Sequence, residues 1–300
     1  MGFYSEKYIT HRNIGWAICI KNYVEELDDH IDFMFKMFEI SDKLENNLRL
    51  PGAFIIKNES DMIYRLSYDD SEISSSNGLS GILGELYEVA FLPVFLENSY
   101  WWYLHGGAVS YNGKAIIISG TTHAGKTTMI STLCTKGGSY LTDDIVPINV
   151  ETLKVSPFPH PVASRNIGHM EGEVLSRHFS ISAVKMLGKN KHHPGGDEKF
   201  ILNPKRFEDI EGLIPAKAVV LLKRMEGYDG VCIKKLSSGE AFIKLLLNSR
   251  HPQNMAKNRK VAARLSNKVQ VYEIEYSESI DAASHILEFL FGGEENNEQK

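Results

Sequence analysis

Within "ISGTTHAGKTTMI" (residues 118–130), Gly120 is followed by four residues and then by Gly125-Lys126-Thr127. That is the spacing of a phosphate-gripping loop. Glycines at the two ends permit backbone torsions that turn successive N–H groups toward one point, making a nest for an anion. A helix beginning near Gly125 adds the positive end of its dipole. Lys126 supplies a charge for the β- and γ-phosphates of a nucleotide, and the Thr127 hydroxyl is a ligand type suited to Mg²⁺. The candidate nucleotide-binding set is therefore Gly120, Thr121, Thr122, His123, Ala124, Gly125, Lys126, Thr127 and Thr128. ATP and Mg²⁺ are the expected ligands.

Two carboxylates follow. Asp143 and Asp144 stand in "YLTDDIVPINV", directly after the segment expected to form the loop's helix. A carboxylate at the end of a neighbouring strand can hold Mg²⁺, and a second beside it can take a proton from an incoming hydroxyl. The alternative is a solvated Asp-Asp turn. His105, in "LHGG", lies on the far side of a hairpin from the loop. Its residue type allows acid–base or supporting work, or simply a packed, hydrogen-bonded core position.

These residues need a scaffold. "YLHGGAVSYNGKAIIISG" (103–120) reads as two strands joined at Asn112-Gly113, a strong short-range hairpin signal. "AIIIS" is a continuous buried-strand run that leads straight into the glycine loop. "KTTMISTLCTKGG" (126–138) reads as a helix with Met129, Ile130, Leu133 and Cys134 inward, stopped by Gly137-Gly138. Further strands are expected in "IGWAICI" (14–20), "AFIIKNESDMIYRLSY" (53–68), "AKAVVLLKRM" and "KVQVYEIEY". Helices are expected in 82–99, with a break or kink at Pro93, in "SSGEAFIKLLLNS" after a Ser237 or Ser238 cap, and in "SIDAASHILEFLF". "IDFMFKMFEI" is too uniformly apolar to choose between strand and helix. "DDSEISSSNGLSG" (69–81) and "LGKNKHHPGGDEKF" are expected to be loops, the second a candidate lid.

The 300 residues are 43% hydrophobic and 24% charged, enough for a sizeable core without staples. A net charge of −5 argues against a general nucleic-acid binder. Cys19, Cys134 and Cys232 are widely separated, which argues against a disulfide framework or a cysteine-built zinc site. No window reads as long and apolar enough to span a bilayer, so a cytoplasmic protein without a membrane partner is expected. The expected organisation is an N-terminal α+β region over 1–99, an ATP-binding domain over 100–291 and a disordered acidic tail over 292–300.

The stretch "LHGGAVSYNGKAIIISGTTHAGKTTMISTLCTKGGSYLTDDIVPI" resembles the catalytic core of the HPr kinase/phosphorylase family in both order and spacing. The resemblance implies an α/β fold with a phosphoenolpyruvate-carboxykinase-like P-loop core. It also implies that Lys126 and Thr127 contact phosphate and Mg²⁺. Asp144 matches the family's catalytic base, with Asp143 beside it as metal ligand, and His105 matches the histidine that supports the base. The downstream signature of the bifunctional enzymes, roughly E-[IV]-R-G, is missing; Glu171 and Glu173 in "HMEGEVLS" lack its pattern. The family's later Arg-bearing loop is missing too. "FPHPVASR", "EKFILNP", "AVVLLKR", "LSSGEAFIKLLLNS" and "VYEIEY" are similar instead to the branch that includes lasso-peptide precursor kinases. That branch implies a Ser/Thr-type phosphotransferase acting on a small ribosomal peptide, with residues 1–99 as its recognition region. Enzymes of the family are oligomers, which leaves a homo-oligomer open.

Two other readings stand beside a peptide kinase: a kinase of a free small molecule such as an amino acid, and a nucleotide-gated binder that transfers nothing. Arg165 and Lys199 are either ligand contacts or surface charges, and His192-His193 are either metal ligands or incidental to a mobile loop. Trp101-Trp102-Tyr103 and the helix at 239–248 are read as core.

Overall fold

The computed structural model describes residues 2–11, 15–45, 48–60, 62–164, 179–188, 197–204, 212–250 and 255–292. The chain forms two compact units, Met1–Asn98 with Pro161–Lys205, and Ser99–His160 with Arg206–Lys300. The sequence placed 161–205 with the ATP-binding domain; in the structure it completes the N-terminal unit.

The first unit opens with β1 (Ser5–His11) and β2 (Trp16–Asn22), paired antiparallel with Ile9 opposite Ile18. The ambiguous apolar run then divides. Ile31, Met34 and Phe35 fall on one buried face of helix α1 (Asp28–Phe35), and β3 (Glu39–Ser41) follows. Asp28 and Asp29 in the first turn suit the helix dipole. β4 (Ala53–Ser60), β5 (Ile63–Tyr68) and β6 (Ser71–Asn77) complete a six-stranded sheet in the order β3-β1-β2-β4-β5-β6. β6 occupies the stretch expected to be a loop. Its serine-rich side chains are largely exposed, so no apolar alternation marks it, and backbone pairing with β5 holds it.

Helices α2 (Leu79–Val89) and α3 (Leu92–Glu97) come next, divided just before Pro93. Proline is tolerated in a first turn, where its missing N–H has no intrahelical partner to lose. Taken together, Leu79–Leu96 does meet the length and composition of a membrane span, contrary to the sequence expectation. Here it is two helices, and Ile82, Leu83 and Leu86 are buried within the protein.

The second unit begins with β7 (Trp101–Tyr111) and β8 (Lys114–Gly120), joined at Asn112-Gly113 with φ of 49° and 68°. Both values are left-handed, as a type I′ turn demands. Helix α4 (Lys126–Thr135) ends where Gly137, at φ 96°, lets the Gly138 N–H return to the Leu133 carbonyl at 3.0 Å. β9 (Ser139–Thr142) and β10 (Ile145–Asn149) then pair with successive parts of β7. The chain next supplies β11 (Val162–Ser164), β12 (Phe179–Gly188) and β13 (Asp197–Pro204), a three-stranded sheet of order β11-β13-β12 in the first unit. Asp197–Phe200, expected to be loop, is thus strand.

The remaining elements return to the second unit. They are β14 (Ala216–Arg224), β15 (Val231–Lys235), α5 (Ser238–Leu247), α6 (Met255–Lys268), β16 (Gln270–Tyr276) and α7 (Ser279–Phe291). The sheet is mixed, in the order β10-β7-β8-β14-β16-β15 with β9 also on β7. β8 is antiparallel to β7 and parallel to β14. On one face Ile117, Val219 and Leu221 share a core with Leu245, Val261 and Leu265 of α5 and α6. α4 packs on β7, β8 and β9. Trp101, Trp102 and Tyr103 are buried as expected, whereas Ile243 and Leu247 of α5 are exposed, so that helix is core on one side only.

α5 carries a capping box: the Ser237 side chain accepts from the Glu240 N–H, and the Glu240 carboxylate accepts from the Ser237 N–H at 2.9 Å. Ser237→Ala is expected to lower stability by about 1 kcal/mol. The reading is a lower urea midpoint at unchanged slope; an unaltered midpoint would show that packing alone sets this helix.

Candidate functional site

β8 is buried from Ala115 to Gly120, so the loop leaves the centre of the sheet rather than its rim. Gly120 turns at φ 146°, and a Cβ there would lie 2.9 Å from the Leu222 carbonyl oxygen. Gly125 sits at φ 84°, where a Cβ would lie 2.5 Å from the Tyr276 hydroxyl. No other residue type fits either position without displacing backbone or a buried ring. The Tyr276 hydroxyl donates to the Ala124 carbonyl at 2.8 Å, fixing the loop from β16. Thr121, Thr122 and His123 are exposed at the loop's crown, and His123 also holds a left-handed φ of 67°.

Lys126 Nζ donates to the carbonyls of Gly120 and Thr121 at 3.1 and 3.0 Å. Burial draws its pKa below the ordinary lysine value, while Asp143 and Asp144 push it up and Arg250 pulls it down. Thr127, one residue on, donates its hydroxyl to Asp143 Oδ2 at 2.8 Å. Thr128, in the same first turn, is half-buried and uses its carbonyl for Thr132.

The two aspartates lie between β9 and β10 rather than within a strand. The Ile145 N–H donates to the Asp143 carbonyl at 2.9 Å, closing a γ-turn about Asp144, whose φ is 65°. Left-handed γ-turns are rare and strained, and such strain gathers at functional sites. The turn sends the neighbouring carboxylates to different partners. Asp143 goes to Thr127, whereas the Asp144 side chain meets His105 Nδ1 at 3.3 Å and Arg250 Nη2 at 2.7 Å from each of its oxygens.

The glycines after His105 make this convergence possible. A Cβ on Gly107 would lie 2.8 Å from Ile130 Cγ1, 2.9 Å from the Thr142 carbonyl oxygen and 3.0 Å from Asp143 Oδ1. Gly107 thus lets α4 and the aspartate turn close onto β7. At Gly106, a Cβ would lie 2.3 Å from the Ile118 carbonyl oxygen.

Burial, and then the charge of Asp144, pushes the Asp143 carboxyl up to about 6. For Asp144, burial acts upward too. The His105 hydrogen bond outweighs it, together with Arg250 and a charge contribution from buried His160, and holds this carboxyl well below the ordinary range. The pair is thereby split into a carboxylate short of positive charge and one well supplied with it.

A raised folded pKa means that Asp143 favours the fold when protonated, and that this stability is lost as pH rises through about 6. Asp143→Asn is therefore expected to stabilise the nucleotide-free protein at pH 8 by about 1–3 kcal/mol, with little effect near pH 4. Thermal unfolding at the two pH values checks this; an equal change at both would remove the electrostatic explanation.

Thr127 and Asp143 are the two groups here that would hold Mg²⁺. No cluster of three or more His, Cys, Asp or Glu suited to a metal occurs among the described residues. That donor set fits Mg²⁺, which keeps several waters and binds through one or two carboxylates plus substrate phosphates. A buried carboxylate with too little positive charge around it fits a cation as well.

No protein-family model matches the chain, and no curated protein matches it. Among solved structures, it is similar to the Hpr(Ser) kinase/phosphatase from Coxiella burnetii at 9% identity and a TM-score of 0.29, over 66% of this chain and 99% of that one. A likeness at that score carries no argument. What can be said of the site rests on its own geometry.

The structure brings together His105, Lys126, Thr127, Asp143 and Asp144, the residues singled out from the sequence. Lys199 is not among them; it pairs with Glu88 at 3.4 Å within the first unit. Arg165, Glu171, Glu173, His192 and His193 lie outside the described residues, as does the tail from 293. Cys19, Cys134 and Cys232 are free thiols. Arg250 and His160 were not found from the sequence. Arg250 follows a helix end, where a basic residue is commonplace, and a tertiary contact, the bridge between Leu104 and Ser249, brings it to β7.

Proposed function

We propose that the chain is a Mg·ATP-dependent phosphotransferase built on a phosphoenolpyruvate-carboxykinase-like P-loop core. The observation that carries this reading is the division of labour between Asp143 and Asp144. A protein that only held nucleotide would need the Thr127–Asp143 pair but has no use for a second carboxylate, fixed by His105 and Arg250 beside the loop. The loop amides and Lys126 bind the phosphates. Thr127 and Asp143 would hold magnesium, which would supply charge neutralisation at the phosphoryl oxygens. Asp144 accepts the proton of an acceptor hydroxyl as its oxygen forms a bond to the γ-phosphorus and the bond to the β-phosphate oxygen breaks. His105 orients the Asp144 carboxylate. Catalysis on this scheme is mainly positioning and electrostatics.

The acceptor we assign is a Ser or Thr hydroxyl on a small ribosomal precursor peptide of the lasso type, in the cytoplasm, with residues 1–99 contributing its recognition. Support comes from the sequence resemblance of the 104–148 core and of the segments after it. Intact-mass analysis tests the reading, after incubation with Mg·ATP and a Ser-containing precursor peptide encoded beside the gene. One added phosphoryl mass is expected. No gain on peptide, but transfer to a free amino acid, would replace the acceptor. Nucleotide binding without any transfer would leave a nucleotide-gated binder.

A further inference from the structure

In the second unit, one side chain occupies the proton-accepting group of the proposed reaction. Arg250 Nη2 lies 2.7 Å from both oxygens of Asp144, and His105 Nδ1 lies 3.3 Å from one of them. Both oxygens of the carboxylate are thus engaged by Arg250, and His105 Nδ1 also lies 3.2 Å from the Asp144 backbone carbonyl. A hydroxyl approaching Asp144 would have to compete with a guanidinium.

Arg250 itself is incompletely satisfied. Its Nε is buried with no acceptor among the described residues. A guanidinium presents its donors in a fork matched to carboxylate or phosphate, so a spare buried donor marks room for another anionic partner. The backbone beneath is pinned. The Arg250 N–H donates to the Tyr103 carbonyl at 2.8 Å, Ser249 bridges Leu104, and Trp102 Nε1 donates to Ser249 Oγ at 2.9 Å. Any change of partner is therefore made by the side chain alone. The guanidinium is near enough to the loop for its charge to bear on Lys126.

We propose that Arg250 exchanges partners: it covers the Asp144 carboxylate when the loop is empty and moves to the terminal phosphate when a triphosphate is bound. Asp144 is uncovered for an acceptor only in the loaded state. This rests on the phosphotransferase reading and gives it a gate against reaction before the nucleotide is in place. After the exchange, His105 from β7 still fixes Asp144, and among the described residues Lys126, Asp143, Tyr140 and His160 are the other charged and titratable groups around it.

The test is nucleotide affinity from thermal shifts with Mg·ATP and Mg·ADP, which does not depend on transfer. Arg250→Gln is expected to weaken ATP about tenfold and ADP less than about twofold, because only ATP carries the phosphate that Arg250 reads. Arg250→Lys should recover part of the loss. Exchange also predicts a reciprocal effect: Asp144→Asn, which frees Arg250, should tighten ATP about two- to threefold, and this gain should vanish in the double variant. Equal weakening of both nucleotides by Arg250→Gln, no effect on either, or weaker ATP binding by Asp144→Asn would overturn the exchange. Should the unaltered protein bind neither nucleotide, the P-loop reading itself falls and takes the exchange with it.

Discussion

Asp144→Asn should retain nucleotide binding, with ATP held no more than the roughly two- to threefold tighter that a freed Arg250 allows, and lower phosphoryl transfer by on the order of 10²–10⁴-fold, the usual contribution of a positioned general base. The substitution conserves size and leaves one oxygen for His105 and Arg250, but removes the group that accepts a proton. On the proposed reading, exposure is what separates this carboxylate from its neighbour. Asp144 is about one-third exposed, whereas Asp143 is 3% exposed and committed to Thr127. Once Arg250 has moved aside, an acceptor can reach the first and not the second. Single-turnover transfer measured beside ATP binding checks the split. Full activity in the variant would hand the proton to another residue and leave the γ-turn without a catalytic explanation.

Lys126→Ala should abolish nucleotide-dependent stabilisation. Ligand at a hundred times its dissociation constant stabilises a protein by about 2.7 kcal/mol, which for a chain of this size is several degrees of melting temperature. That shift is expected to disappear. The empty protein should melt no lower than before, because burial penalises the Lys126 charge and its two bonds serve loop carbonyls at the surface of the site. A variant that melts lower when empty and still responds to Mg·ATP would make Lys126 a strut of the loop instead of a phosphate ligand.

Local signals in the sequence were enough for the elements that position the loop. Asn112-Gly113 allowed one tight turn, the run from Ala115 to Ser119 suited only a buried strand, and Gly137 closed a helix. A serine cap at Ser237 or Ser238 announced α5, and the structure places it at Ser237. Elements whose stability comes from elsewhere were illegible. β6 is held by pairing with β5 and buries little, and α6 hides a face on which Asn258 and Ser266 flank Val261, Ala262 and Leu265, within a strongly charged stretch. The return of 161–205 to the first unit depends on the packing of β12 against α2 and α1, which no local pattern encodes. The site divides in the same way. Lys126, Thr127 and the aspartates are close in sequence and were found together, while Arg250 lies 106 residues from its partner in a segment of ordinary composition.

The bond from Tyr276 to the Ala124 carbonyl has a consequence for the order in which the protein is made. Its two ends are 152 residues apart, and β14, between β8 and β16, is parallel to both. Parallel pairs need long crossovers, and such distant contacts form late. A nascent chain on the ribosome that has reached α4 already carries every residue of the phosphate loop, yet β8 then has only the β7 hairpin beside it. On the proposed reading, competence for nucleotide thus waits until β16 has been made, and fragments cut short before β16 should emerge unable to sequester ATP.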